Sequence, residues 1–500
     1  MNAYLGVDIG TSGCKAAAFD DEGALCGFAS AEYNVSFTPD GGAELDSGEV
    51  MEKCLGVIRA AAAGAPPIRA LGVSSQGEAF TALDARGAPL CQAMVSSDAR
   101  ATEYVEKGLP GLPADRLYEI TGHTPHPMFT LYKLWWLRAR RPDVWARTRK
   151  FLCFEDLLGH RLGLDPALGW PLAGRTMLFD VTRHDWSPEI LAALELTPDR
   201  LGRPLRSGSV AGVIPDEIAQ SLGLPTGVRV VTGGHDQPCG ALGAGVTEPG
   251  VAMYATGTVE CITPAFKKAV FSPALMRSNL CTYDHAAPEL YATVAFNLTG
   301  GNALKWFRDE LGEPERRAAE DGGASAYERL WTLAGDRPSN LLCLPYLTSS
   351  GTPYFDPHTP GAVLGLRLST TRGELLRGLL EGVTLEMRLN LEILDTAGCP
   401  IRELRVIGGG SKSAAWNQLK ADVLNKPVTT LDIGEAGCLG VALLGCAAHT
   451  GAAVDGIARR WVKPRAVVRP RPEVAAVYER RFAVYRELYP ALKRLAVAGC

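Results

Sequence analysis

The sequence of 500 residues predicts an α/β protein with two domains and a cleft between them. Five hundred residues are too many for one hydrophobic core, so we expect two domains of about 200–250 residues each. A strand–Gly-Thr–strand unit occurs twice, at 8–11 and at 255–258. After each unit, predicted strands alternate with helices, which is typical of α/β domains. We therefore divide the chain into an N-terminal domain (1–246), a C-terminal domain (247–455) and a helical extension (456–500).

The first half begins as a predicted β-meander, with strands at 3–9 and 14–19 and a third from residue 24. Short apolar runs bounded by glycine predict the strands, and amphipathic spacing predicts the helices. The later elements are a helix at 47–63, strands at 68–74 and 79–83, a helical segment at 131–144, a Gly- and Pro-rich surface connection at 202–227 and a buried strand at 228–232.

The second half repeats this order of elements. It begins with strands at 251–255 and 259–263, joined by a Gly-Thr turn. The later elements are strands at 290–296, 404–407 and 428–431 and helices at 302–311, 372–396, 413–424, 437–448 and 474–495.

Composition narrows the class of protein. The chain is 46% apolar and 21% charged, with a net charge of −4. This balance gives no reason to expect nucleic acid or a membrane as a partner. The N-terminus lacks the basic and apolar regions of a signal peptide, so we expect a cytoplasmic protein. The 13 cysteines are scattered singly without C-x-x-C, which disfavours a structural metal site.

Asp236 is the first candidate for a catalytic role. It follows the predicted strand 228–232 and two glycines, Gly233 and Gly234. Ligands and reacting groups collect at the carboxyl ends of strands in open α/β sheets, which favours a general base at this place. The alternative is that Asp236 only caps the helix that begins near Pro238.

Three glycine turns have the size and position to bind phosphate. The first is 10–13, with Asp8 before it and Lys15 after it. Small residues let backbone N–H groups approach a phosphate, and one carboxylate can hold a hydrated Mg²⁺. The second turn is Gly257-Thr258, and the third is 408–411, before a predicted helix. An ordinary hairpin or strand-to-helix turn is the alternative for each of them. P-loop and dinucleotide-binding signatures are absent.

Five segments in this order resemble the FGGY carbohydrate kinases, which are sugar and polyol kinases of the actin/hexokinase-like ATPase superfamily. They are VDIGTSGCK (7–15), FTLYKLWW (129–136), GGHDQ (233–237), LLEGV (379–383) and GGGS (408–411) followed by WNQ (416–418). The resemblance covers residues 4 to 450 and implies two ribonuclease-H-like domains that flank a cleft and close over sugar and ATP.

The resemblance also implies roles for individual residues. Asp8 would organise Mg²⁺ through water, and Asp236 would accept the proton of the substrate hydroxyl. The residues expected to contact ATP are Gly10, Thr11, Ser12, Lys15, Gly257, Thr258, Gly301, Gly409, Gly410 and Asn417.

The expected sugar ligands are Gln76, Glu78, Asp98, Arg100, Asp236 and Gln237. Gln76 and Glu78 fit the Gln-Arg-Glu of glycerol kinases, but Gly77 replaces the arginine. The Gln-Met-His-Gly of xylulokinases is not matched either. We expect Gly77 to leave room for a larger or branched polyol.

The sequence thus predicts ATP-dependent phosphorylation of a small sugar or polyol, a ketopentose such as xylulose or a related compound. The alternatives are a glycerol- or gluconate-type kinase and a non-catalytic nucleotide- or sugar-binding sensor. The expected cofactors are ATP and Mg²⁺, and a homodimer is one expected state.

Overall fold

The computed structural model describes residues 1–494, which form two α/β halves, each built on one large sheet. Within these residues, no helix is long and apolar enough to cross a membrane.

The first half contains fifteen strands and ten helices. The strands are β1 (Ala3–Ile9), β2 (Gly13–Asp20), β3 (Leu25–Glu32), β4 (Ser36–Phe37), β5 (Ala43–Leu45), β6 (Ile68–Ser75), β7 (Thr81–Leu83), β8 (Ala93–Met94), β9 (Lys150–Leu152), β10 (Ala167–Gly169), β11 (Phe179–Asp180), β12 (Asp185–Trp186), β13 (Arg203–Leu205), β14 (Val210–Val213) and β15 (Arg229–His235). The helices are α1 (Ser47–Ala62), α2 (Thr102–Lys107), α3 (Ala114–Thr121), α4 (Thr130–Arg140), α5 (Pro142–Arg147), α6 (Phe154–Arg161), α7 (Trp170–Arg175), α8 (Pro188–Ala193), α9 (Asp216–Ser221) and α10 (Asp236–Gly243).

The second half contains ten strands and ten helices among the described residues. The strands are β16 (Val251–Thr256), β17 (Glu260–Phe266), β18 (Tyr283–Asp284), β19 (Tyr291–Ala292), β20 (Ala295–Asn297), β21 (Leu342–Leu344), β22 (Ala362–Leu364), β23 (Glu403–Ile407), β24 (Val428–Leu431) and β25 (Pro464–Val468). The helices are α11 (Pro273–Arg277), α12 (Gly301–Glu310), α13 (Glu313–Glu320), α14 (Ala326–Ala334), α15 (Arg372–Thr396), α16 (Ala414–Leu424), α17 (Ala436–Thr450), α18 (Val454–Trp461), α19 (Pro472–Tyr485) and α20 (Leu488–Lys493).

The two large sheets share one topology. The first has the order β14-β15-β6-β1-β2-β3, in which β1 and β2 are antiparallel while β1, β6 and β15 run parallel. The second repeats this pattern, because β17 is antiparallel to β16 while β16, β23 and β24 run parallel. Strands such as β1 are apolar along almost their whole length because both faces of the sheet are covered. The predicted fold of two ribonuclease-H-like halves is confirmed.

Helices α10 and α17 join the halves. Helix α17 follows a strand of the second sheet, yet it packs against β1 and β6 of the first. Glycine permits this approach: a Cβ on Gly6 would lie 1.9 Å from Cys438 O, and one on Gly440 would lie 1.9 Å from Cys239 O. The two helices and both sheets therefore share one apolar core.

The C-terminal segment is integrated into the second half. Strand β25 pairs with β24, and α19 packs against α16. Two tyrosines of α19 donate hydrogen bonds to buried carboxylates of α15: Tyr478 to Glu381 (2.7 Å) and Tyr485 to Glu386 (2.6 Å). Burial raises the pKa of Glu386 to about 7. These hydrogen bonds matter because an unpaired buried carboxyl group is costly.

Several predicted elements differ from the observed ones. The connection 202–227 contains β13, β14 and α9, and the segment 131–144 is broken into α4 and α5, because the residue before Pro142 is disfavoured in the helical region. The strand predicted at 290–296 is two short strands, β19 and β20. The helix predicted at 474–495 is likewise two helices, and its last residue, Leu495, lies outside the described residues.

Strand β15 is longer than predicted, because it continues through both glycines to His235. Gly234 has a φ of +130°, and the pairing with β6 shifts between Thr232 and Gly234. Such a bulge in a crowded sheet requires glycine. The chain therefore does not leave the sheet until Asp236.

Candidate active site

The first glycine turn, 10–13, connects β1 to β2 and is fixed by side chains. Gly10 O accepts hydrogen bonds from Tyr33 Oη (2.7 Å) and Gln76 Nε2 (3.0 Å). Thr11 Oγ1 donates to Gln76 Oε1 at 3.1 Å. Gln76, predicted to bind the sugar, thus holds the turn in place with both ends of its amide.

Asp8 lies at the end of β1, beneath this turn. Its Oδ1 accepts a hydrogen bond of 2.7 Å from Ser74 Oγ, and burial raises its pKa. Gly437, at the start of α17, leaves the space beside the carboxylate open, because a Cβ there would lie 2.9 Å from it. Lys15 Nζ is 2.7 Å from Glu435 Oε2, an ion pair that connects the two halves.

Asp236 is the first residue of α10. The helix cap is His235, so the alternative that Asp236 serves only as the cap is wrong. Strands β1, β6 and β15 are parallel neighbours, and their carboxyl ends bring Asp8 and Asp236 to one edge of the first sheet.

The carboxyl group of Asp236 has an unusual environment. Its Oδ1 lies 3.2 Å from His235 Nε2, outside hydrogen-bonding geometry, and has no other partner among residues 1–494. Burial, followed by the nearby carboxylates of Asp8 and Glu78, raises the pKa of Asp236 to about 7. A carboxyl group that titrates near neutral pH is suited to accept a proton.

Arg175, at the end of α7, is a site residue that the sequence did not indicate. Its Nε donates to Glu78 Oε1 at 2.5 Å, and both side chains are less than one-tenth exposed. The guanidinium carbon lies 4.9 Å from the centre of the Phe129 ring and 5.8 Å from that of Tyr283. One feature of the sequence could have indicated a cation next to Glu78: Gly77 replaces the arginine of the Gln-Arg-Glu pattern, so the positive charge has to come from elsewhere in the chain.

Gly77 does not leave the expected space for a larger substrate. A Cβ at this position would lie 3.0 Å from His235 Cδ2 and 3.4 Å from Arg175 Nε. The volume that a side chain would occupy is therefore filled by these two groups. We call Glu78, Arg175, His235, Asp236 and Tyr283 the acceptor cluster.

Burial and the positive charge of Arg175 lower the pKa values of the histidines of this region. His235 Nδ1 is 2.8 Å from the Tyr283 hydroxyl, and burial together with Arg175 holds the pKa of His235 well below its usual value. The same causes lower the pKa of His123 to about 3 and that of His126 to about 4.

Asp98 and Arg100, predicted as sugar ligands, form a buried ion pair. Arg100 Nη2 is 2.6 Å from Asp98 Oδ2 and 2.7 Å from Glu44 Oε1, and Asp98 also accepts a hydrogen bond from Ala43 N. These contacts secure β5 to the neighbouring loop. Gln237 is at the start of α10, and its Oε1 is buried without a partner among the described residues. Contact of these three residues with sugar remains a prediction.

A cavity of about 920 Å³ lies in the second half. Five residues predicted to contact ATP line it, namely Gly257, Thr258, Gly301, Gly409 and Gly410. Apolar and aromatic side chains form other parts of its wall, including Leu304, Tyr327, Trp331 and Trp416. Its volume and lining fit a cofactor-sized ligand, and we call it the nucleotide cavity after the predicted ATP contacts that line it.

Backbone contacts hold the two turns of this cavity. Gly301 N donates to Gly257 O at 2.9 Å, and Asn302 N donates to Thr258 O at 3.1 Å. A Cβ on Gly301 would lie 2.4 Å from Gly257 O. Asn417 Nδ2 donates to Ser411 O at 2.7 Å, so this predicted adenosine ligand braces the third turn.

A buried ion pair under the cavity was also missed. Lys420 Nζ is 2.9 Å from Glu260 Oε1, and both side chains are fully buried. Lys420 also contacts Thr256 Oγ1 and lies 3.9 Å from the centre of the Tyr254 ring. It therefore connects α16 to the strands that carry the second turn.

Known proteins resemble this chain in sequence and in architecture. The N-terminal domain of the FGGY family of carbohydrate kinases matches residues 3–243, and its C-terminal domain matches residues 252–449. A xylulose kinase of Staphylococcus epidermidis is 27% identical, with 98% of this chain and 97% of that protein covered. A gluconokinase of Bacillus subtilis is 26% identical, with 89% and 87% covered. A solved xyloylose kinase from Brucella ovis has a TM-score of 0.90 and 29% identity, with 99% and 100% covered.

Proposed function

Because the chain belongs to the FGGY family of carbohydrate kinases, we propose that its substrate is a ketopentose such as xylulose and that Asp236 is the general base. Membership of this family makes the protein a carbohydrate kinase, and the members of the family use ATP. Relatives that are xylulose kinases support the ketopentose, among them two that are similar along 98% and 99% of this chain.

One observation supports the base assignment above all others. Asp236 combines a pKa of about 7 with a buried, unpaired carboxylate oxygen, and it lies at the same edge of the first sheet as Asp8. A general base works best when its pKa is close to the operating pH.

In the proposed reaction, Asp236 accepts the proton of a substrate hydroxyl. The oxygen of that hydroxyl forms a bond to the γ-phosphorus of ATP, and the bond from that phosphorus to the oxygen bridging it to the β-phosphorus breaks, which releases ADP. Phosphoryl transfer depends on positioning and on neutralising charge rather than on a covalent nucleophile. Thr11, Ser12 and Lys15 would bind the outer phosphates, Gly257-Thr258 would form the second phosphate turn, and Gly409-Gly410 would face the adenosine.

The residues present fit a magnesium ion held through water. Among residues 1–494 no group of three or more His, Cys, Asp or Glu side chains could enclose a metal ion. Mg²⁺ does not need such an enclosure, because it keeps several waters and commonly binds one or two carboxylates plus phosphate. Asp8, with Gly437 leaving space beside its carboxylate, would hold this hydrated ion. Bound Mg²⁺ would neutralise charge on the phosphates.

The test is the Asp236→Asn variant, assayed by ADP release with D-xylulose and other ketopentoses. We expect kcat to fall by about 10²–10⁴-fold, because the amide cannot accept the proton. ATP binding, measured by calorimetry, should be retained. The matched control is Asp216→Asn, on the exposed start of α9, which should keep wild-type kcat. Wild-type turnover by Asp236→Asn would refute the base assignment, and wild-type enzyme inactive on every ketopentose would refute the substrate.

A further inference from the structure

The acceptor cluster contains one cation, Arg175, and that cation is already neutralised. Two of its nitrogens, Nε and Nη2, contact the same oxygen, Glu78 Oε1. Aromatic rings lie against the guanidinium, since both Phe129 and Tyr283 are within 6 Å of its central carbon. Stacked rings cover the faces of a guanidinium and leave its edge for hydrogen bonds.

The other positive or potentially positive groups nearby are also committed or neutral. Lys133 Nζ, the second cation near Glu78, is buried and donates to the carbonyl oxygens of Met94 (3.3 Å) and Val95 (3.1 Å). Arg100 is held by Asp98 and Glu44, and the three histidines are neutral. Within residues 1–494 we find no uncommitted cation beside the acceptor cluster.

Resting on the function proposed above, we propose that the Glu78–Arg175 pair determines specificity: it restricts the acceptor to uncharged sugars and excludes aldonates. An aldonate carries a carboxylate, which would meet Asp236 and Glu78 without a free cation to pair with. Like charges brought together in a poorly hydrated site repel strongly. A sugar hydroxyl, in contrast, can both donate to and accept from a neutral ion pair.

One substitution in the Glu78–Arg175 pair should shift the selectivity from uncharged sugars toward aldonates. Glu78→Gln would remove the negative charge and release Arg175, whose planar guanidinium binds carboxylates in a bidentate manner. Gly77 keeps this position of Arg175 available, because its missing side chain gives space to Arg175 Nε.

The experiment compares D-xylulose with D-xylonate, which have equal chain length and differ in charge. For the wild type we expect kcat/KM with xylonate to be at least about a hundredfold below that with xylulose. In Glu78→Gln the ratio of xylonate to xylulose should rise about tenfold or more. The double variant Glu78→Gln/Arg175→Gln should lose this gain, because the released guanidinium is absent.

Three results would overturn the inference: equal use of both compounds by the wild type, an equal fall with both compounds in Glu78→Gln, or a gain that persists in the double variant. Thermal unfolding checks folding, and Glu78→His, also uncharged, replaces Glu78→Gln if that variant is unfolded.

Failure of the proposed function can be distinguished from failure of this inference. If the wild type released no ADP with any ketopentose, the inference could still be tested by measuring xylonate binding by calorimetry. Binding by Glu78→Gln and not by the wild type would support the inference, and binding by neither would refute it.

Discussion

The acceptor cluster and the nucleotide cavity are opposite kinds of site. In the acceptor cluster, Arg175 and Glu78 neutralise each other with little exposed surface. The nucleotide cavity holds about 920 Å³ of free space, and glycine turns fixed by backbone hydrogen bonds form one side of it. The difference indicates that charge governs the first site and volume governs the second. Substitutions that alter charge should therefore affect the sugar, and those that alter volume should affect ATP.

Among the changes that test this comparison, the largest effect is expected from Arg175→Met, which removes charge while keeping much of the apolar contact with Phe129. Glu78 would be left buried and unpaired, so the free energy of unfolding should fall by about 3–5 kcal/mol. We expect kcat/KM for the sugar to fall about a hundredfold or more, while the KM for ATP changes little. Urea unfolding and steady-state kinetics measure the two effects. An equal rise of both KM values would contradict the division into a charge-governed and a volume-governed site.

An intermediate effect is expected from Gly410→Ala in the nucleotide cavity. The added Cβ would lie 2.2 Å from Thr256 Cγ2, and Thr256 is held by Lys420, so the third turn must shift. Overpacking of this kind costs about 1–3 kcal/mol, and we expect a rise of about tenfold in the KM for ATP.

Gly409→Ala is the matched control for protein stability, because no atom of the protein lies within 4 Å of its added Cβ. It should unfold at the wild-type temperature. Unchanged ATP affinity in Gly410→Ala would show that the turn does not position the nucleotide.

The smallest effect concerns pH. The protonated carboxyl group of Asp236 cannot act as a base, so kcat/KM for the sugar should rise with pH and level off above about 7. Glu78 raises this pKa and Arg175 lowers it, so Glu78→Gln should move the midpoint to lower pH. ATP binding, measured over the same pH range, should show no such midpoint. If Glu78→Gln has the same midpoint as the wild type, the charge of Glu78 does not affect the pKa of Asp236.

Local signals in the sequence predicted the fold well. The helix Arg372–Thr396 was predicted with both of its ends, because its apolar spacing is long and Thr371 caps its start. The short elements within the predicted surface connection 202–227 were missed, because β13 and β14 gain their stability from pairing with β10 and β15 rather than from a pattern of their own.

The site was predicted less completely, for a related reason. Asp8 and Asp236 were predicted as site residues from the motifs that contain them, but their place at one edge of the sheet depends on strand order. Arg175 is 97 positions away from its partner Glu78, and no local pattern connects the two. Lys420 and Glu260 were missed in the same way, since a buried ion pair between distant segments is a product of tertiary packing.

The position of α17 has a consequence for biosynthesis. One face of the first sheet is covered by residues 436–450, which leave the ribosome after most of the chain. During translation the apolar surface around Gly6 and Gly72 therefore stays without its permanent cover, although domains commonly fold in order of synthesis. A fragment that ends at residue 246 would expose the same surface throughout its lifetime. We therefore expect the nascent chain to expose this apolar surface until residues 436–450 have been made.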